Sequence, residues 1–204
     1  MVFKKGEIMD KKTFLEKIKN AENKNPAKFG PAPKVDSAQI VSPLRIEGTA
    51  CEAFIRNFKT NGGVIVESLP ELIAILKEKN CKKGFVESAF FDQFNSDFNI
   101  SDSFDKDNMD SYDFSVTKAY SAVGETGAFA LSDNSTSDRL ATIAPWVHVS
   151  ILQKNTIEKT LSDWLAKIEK PYTILISGPS KTADVEGILI QGVHGPGTEI
   201  VFLQ

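Results

Sequence analysis

Three glycine-punctuated stretches hold the side chains best suited to chemistry. The first is "ISGPSKTADVEG", residues 176–187. An apolar run, a Gly-Pro-Ser turn and the pair Lys181-Thr182 give it the outline of a phosphate-binding loop. A P-loop, however, needs glycines where this chain has Leu175 and Ser180, because glycine amides wrap the phosphates. Read without that motif, Ser177–Ser180 closes a buried strand, and Ser180 or Thr182 caps a helical turn "TADVEG". Gly178 permits close backbone approach. Free amides, the Ser180 and Thr182 hydroxyls and the Lys181 ammonium then form a concave donor set for a phosphate or carboxylate. Asp184 and Glu186 are two apart, so a helical turn gives them different faces and no paired acid/base role. Asp184 is retained as a ligand-facing candidate.

The second stretch is "AVGETGAFAL", residues 122–131, where Gly124 and Gly127 bracket Glu125 and Thr126 in a turn before a strand. A carboxylate held there has the chemistry of a nucleophile, a base or a ligand clamp. Downstream, Arg139 can grip a carboxylate or phosphate through two parallel hydrogen bonds. His148, in the alternating run "VHVSI", reads as a packed, hydrogen-bonded histidine. The third stretch is "QGVHGPGTE", residues 191–199, with His194 at the apex of a turn and Gly195 beside it. Turns at strand ends carry function more often than strand interiors do, which makes His194 the better catalytic candidate.

These loops need elements to position them. Val64–Ser68, Gly84–Phe90, residues 128–131 and 147–151, "YTILIS", "GILIQGV" and "TEIVFL" read as strands. "EGTACEAFIRNFKTN" reads as a helix stopped by Gly62-Gly63. "SLPELIAILKEKN" is a second helix, with Ser68 and Glu71 in capping-box spacing. "NTIEKTLSDWLAKIEK" places Ile157, Leu161, Trp164, Leu165 and Ile168 on one helical stripe. Strands alternating with helices predict an α/β domain, an open, mostly parallel sheet with helices on both faces. Such folds bind ligands beyond the carboxyl ends of their strands. The three bends are therefore expected to converge on one rim of that sheet. Residues 1–46 read as an N-terminal helix capped by Asp10, followed by a linker, and 47–204 as the α/β domain. Residues 92–113, with seven aspartates and one lysine, read as a solvated surface excursion.

Composition narrows the functional classes. A net charge of −3 over 204 residues argues against electrostatic binding to nucleic acid or to an anionic membrane. No apolar run approaches the roughly 18–20 residues of a membrane span. The lysine-rich start has no apolar core of a secretory signal. Cys51 and Cys81 are the only cysteines, too few for a four-thiolate iron–sulfur cluster and in keeping with a reducing cytoplasm. No metal site and no particular cofactor is indicated.

The quoted motifs, taken together and in order, resemble the lactate-utilisation (LUD) domain family, within it the lactate-utilisation protein C (LutC, YkgG-like) branch. They are Gly124–Gly127, "PWVHV" at 145–149, "SGPSKTADVE" at 177–186 and "GVHGP" at 192–196. The resemblance spans about residues 60–204 and implies a fold like the NagB/RpiA/CoA-transferase superfamily. It also implies membership of a bacterial system oxidising L-lactate to pyruvate, with iron–sulfur ligands on partner proteins. The CoA-transferase kinship suggests a second possibility, a stand-alone CoA-transferase-like or folate cyclo-ligase-like enzyme using Glu125 and His194. A small-molecule sensor is a third.

Overall fold

The computed structural model describes residues 10–24, 43–132, 138–169, 172–183 and 188–204. The chain divides into two units, 1–41 and 42–204. The first contains helix α1, Lys11–Lys24. Asp10 caps it as expected, accepting from the amides of Lys12 and Thr13 at 3.0 and 3.1 Å. The helix runs on into residues that the sequence assigns to the linker.

In the second unit, six strands form a wholly parallel sheet: β1 (Val64–Val66), β2 (Lys83–Val86), β3 (Asn99–Ser101), β4 (Phe114–Lys118), β7 (Val147–Leu152) and β12 (Thr198–Leu203). Their order across the sheet is β1-β12-β7-β4-β2-β3. Every residue of β7 is buried, as expected of a central strand covered on both faces. Alternation sends Val147, Val149 and Ile151 to one side, where they meet Leu72 and Leu76 of helix α3 (Leu69–Glu78) and the rings of Phe94 and Phe98. Leu152, Val201 and Leu203 face the other way, onto Phe54 and Phe58 of helix α2 (Ala50–Thr60). The expected fold class is therefore present, with one helix on each face. Both helices have caps that fix their starts. Glu52 and Thr49 form a reciprocal capping box, and Ser68 accepts from the Glu71 amide.

Several expectations need correction. Residues 128–131 and 173–176 do not join the parallel sheet. With β5 (Ser121–Val123) and β8 (Ile157–Glu158), strands β6 (Ala128–Ser132) and β9 (Thr173–Ile176) make a second sheet in the order β8-β5-β6-β9. β6 is antiparallel to both of its neighbours. "TILI" is its half-exposed edge rather than a buried strand. The run after Ser180 is no helical turn either: β10 (Lys181–Ala183) pairs antiparallel with β11 (Leu189–Gln191). Helix α4 covers only Leu161–Lys167, because Ile157 is drawn into β8 and Thr160 supplies the cap. Nor is the acidic segment a solvated excursion. Its aspartates alternate with Phe94, Phe98, Phe104 and Tyr112, all buried. Its residues 99–101 add strand β3 to the sheet edge. Aromatic burial here outweighs the charge pattern, since each ring removes far more apolar area from water than an exposed aspartate costs.

Candidate functional site

Helix α2 organises the three bends. Asn57 and Asn61, four residues apart and so on one helical face, point their amides at the Gly124–Gly127 turn. Asn57 Nδ2 donates to the carbonyls of Gly124 at 2.7 Å and Glu125 at 3.2 Å. Asn61 Nδ2 donates to Thr126 O at 3.0 Å. Gly127 has φ +61, and a Cβ there would lie 2.5 Å from the backbone of Asn57 and Phe58. Only glycine lets the turn approach so closely.

The same helix end meets the second bend. Gly178 packs against the Asn61 carbonyl, and Lys181 Nζ donates to that carbonyl. Thr60, Asn61, Ser177, Gly178, Pro179 and Lys181 line an open groove of about 410 Å³. The third bend docks through Ser180. Its amide donates to Pro196 O at 2.9 Å, its carbonyl accepts from Gly192, and its hydroxyl accepts from the His194 amide. Gly195 rests on the Ser180 side chain.

The three bends therefore converge, but not where the sequence puts them. The third bend runs straight into β12 at Thr198, and the first two pack on Asn61 at the end of α2, just before β1 begins at Val64, so the bends gather at the amino rim of the parallel sheet, not beyond its carboxyl ends. The anion donor set also changes. The Ser180 amide is already bonded, and the α2 terminus at the groove is a carboxyl end, where the helix dipole is negative and attracts the Lys181 ammonium. Lys181 is the cation lining the groove, with carbonyl acceptors beside it.

The remaining candidates are distributed as follows. Glu125 turns its carboxylate to α4, accepting from the Leu161 amide at 2.9 Å, a favourable place for negative charge. His194 is exposed, and Thr182 is half-buried opposite Ile190 in the hairpin. Arg139 donates to the Tyr172 carbonyl, at the far end of β9 from Ser177. Asp184 and Glu186 lie outside the described residues.

A buried polar row was missed in the sequence. Ser115, His148 and Glu199 stand in register across β4, β7 and β12. His148 Nδ1 is bonded to Glu199 Oε1, and its Nε2 lies 2.8 Å from Thr117 Oγ1. All are fully buried. Burial pushes the Glu199 carboxyl above its ordinary range, against the pull of His148. Among the described residues, the Ser115 and Ser150 hydroxyls on this face have no hydrogen-bond partner. The available signal is positional: His148 and Glu199 each occupy the second residue of an apolar strand. The histidine's packed, bonded state agrees with expectation. Desolvation raises the Cys51 thiol and pushes Cys81 up to about 11, which disfavours the thiolate form at both. Among the described residues no cluster of three or more His, Cys, Asp or Glu is placed to hold a metal, and no helix is long and apolar enough to cross a membrane.

The parallel six-stranded sheet, sandwiched between helices and flanked by a smaller mixed sheet, defines an open α/β domain. The chain belongs to the LUD domain family, whose model matches residues 86–203. Among curated proteins it is similar to lactate utilization protein C of a Geobacillus species, 31% identical over 90 residues. That match covers 40% of this chain and 37% of the relative. It is likewise similar to lactate utilization protein C of Deinococcus radiodurans, 30% identical over 95 residues, 43% of this chain and 44% of that one. The matched stretches span about two-fifths of these relatives' lengths. A crystal structure of a DUF162 family protein from Deinococcus radiodurans has the same fold. Its TM-score is 0.52 at 17% identity, covering 83% of this chain and 98% of that one.

Proposed function

We propose that this LutC-like LUD-domain chain is a non-catalytic or co-catalytic component of an iron–sulfur L-lactate-oxidising system, and that the groove between α2 and Lys181 holds its α-hydroxycarboxylate. The observation that carries this reading is the pairing of an ammonium with a helix-terminal carbonyl at one groove wall. An α-hydroxy acid supplies a carboxylate for Lys181 and a hydroxyl donor for the Asn61 carbonyl. A keto acid such as pyruvate has no donor for the second. The names of the curated relatives support the substrate class. Oxidising a hydroxy acid to a keto acid releases two electrons and two protons. The two cysteines of this chain cannot supply the four thiolates of a cluster to take those electrons, so the reading puts the acceptor on a partner protein.

Titration of the purified chain, followed by thermal unfolding and calorimetry, tests the proposal. L-lactate at 100 times its dissociation constant stabilises the fold by about 2.7 kcal/mol. Pyruvate binds more weakly, and Lys181→Met removes the effect. Stabilisation by CoA thioesters but not by L-lactate, abolished in Glu125→Gln, would instead establish the CoA-transferase-like enzyme.

A further inference from the structure

A second cavity, of about 180 Å³, lies on the small sheet, lined by residues of β5, β8 and α4. Tyr120, Trp164 and Ile168 form its apolar wall. The Trp164 indole N–H donates to Ser121 Oγ at 2.8 Å, so the only polar atom of that ring is satisfied inside the protein. The ring is held in place and contributes hydrocarbon to the cavity.

The charged groups of the lining come from two different elements. Glu158 stands on β8 beside Val123, and Lys167 ends α4. The Lys167 ammonium lies 2.8 Å from both carboxylate oxygens of Glu158. Their side chains are 66% and 26% exposed, and an ion pair so open to water contributes little to the fold. Exchanging it for a ligand therefore costs little.

We infer that this pocket binds a free α-amino acid with a small branched apolar side chain. The α-carboxylate takes Lys167, the α-ammonium takes Glu158, and the side chain fills the space against Tyr120, Trp164 and Ile168. Two ion pairs with the ligand replace one within the protein, and the charges stay balanced. A simple carboxylate gains Lys167 but confronts Glu158, and a simple amine meets the reverse, so the paired charges select a zwitterion. A cavity of about 180 Å³ has room for a three- or four-carbon side chain against this wall. This site is independent of the Lys181 groove.

Calorimetric titration of the full chain tests the inference. L-leucine and L-valine are expected to bind saturably, with leucinamide and 4-methylpentanoate at least about tenfold weaker, the size of one charged hydrogen bond. Lys167→Met and Glu158→Gln each weaken L-leucine binding by a similar factor and lower the unfolding temperature by no more than about 2–4 °C, since the pair reaches water through Lys167. The inference is overturned by no saturable binding of either amino acid at millimolar concentration. It is equally overturned by leucinamide or 4-methylpentanoate binding as well as L-leucine, or by full binding in both variants. L-lactate binding that survives Lys167→Met belongs to the other groove and bears only on the proposed function.

Discussion

Glu199 combines complete burial with a histidine partner and a carboxyl raised above its ordinary range by desolvation. The sign of the resulting pH effect follows from linkage. The folded state holds the Glu199 proton more tightly than the unfolded state. Stability from this residue is therefore fully present below the ordinary glutamate range and is lost as pH rises through the elevated folded value. Glu199→Gln removes the titration and keeps a group able to hydrogen-bond His148. The unfolding temperature of the variant, relative to the parent, is expected to climb as pH is raised from about 4 to 8. A gain on the order of 1 kcal/mol appears as about 2–4 °C in a domain of this size. Scanning calorimetry across that range checks it, and a difference that stays flat or shrinks toward alkaline pH contradicts the assignment. Neither the pairing of Glu199 with His148 nor its burial is visible in "TEIVFL" or "VHVSI" read singly, because strand neighbours 51 residues apart meet only through the order β7-β12.

At the scale of elements, the Gly124–Gly127 turn and helix α2 behave as one assembly. Gly127→Ala forces a side chain into positive φ at a cost of about 1–2 kcal/mol, and drives its Cβ into the α2 backbone at about 1–3 kcal/mol more. Urea unfolding should show a loss larger than that of Asn57→Ala, which leaves the turn carbonyls short of one donor at about 1–3 kcal/mol. The acidic segment makes a complementary prediction. Phe98 meets the Phe114 ring edge-on, 5.0 Å between centroids, so Phe98→Ala costs about 3–5 kcal/mol. Exposed Asp110→Asn stays within about 0.5 kcal/mol. Equal effects would return the segment to a surface excursion. These elements also mark what was legible in the chain. Helices α2 and α3, the buried runs of β7 and β12 and the glycine bends were readable from periodicity, caps and turn chemistry. The smaller sheet was not, because "AFAL" and "TILI" look the same whether their partner is parallel or antiparallel. The segment after Ser180 was misread because Ser-Lys-Thr suits a cap in isolation, and only its pairing with Leu189–Gln191 makes it a strand.

Across the whole molecule, the two tryptophans report on different regions. Trp146 lies against Gly192 and Gly197 at the third bend and is 57% exposed. Trp164 lines the small-sheet pocket and is 5% exposed, with its N–H bonded inside the protein. Ser180 joins the third bend to the second, which carries Lys181, so occupancy of that groove acts on the surroundings of Trp146. Occupancy of the other pocket acts directly on Trp164. Trp146→Phe keeps an aromatic ring over the two glycines and leaves Trp164 as the single emitter. Its emission is expected to be blue-shifted and protected from iodide, whereas the parent shows an additional iodide-accessible, longer-wavelength component. L-lactate should perturb that accessible component in the parent and leave the variant's spectrum unchanged. L-leucine should change the emission of both proteins. A variant spectrum that iodide quenches as readily as the parent's would mean that the second sheet does not enclose Trp164. A lactate response surviving in the variant would mean that the hydroxy acid acts at the small-sheet pocket rather than at the amino rim.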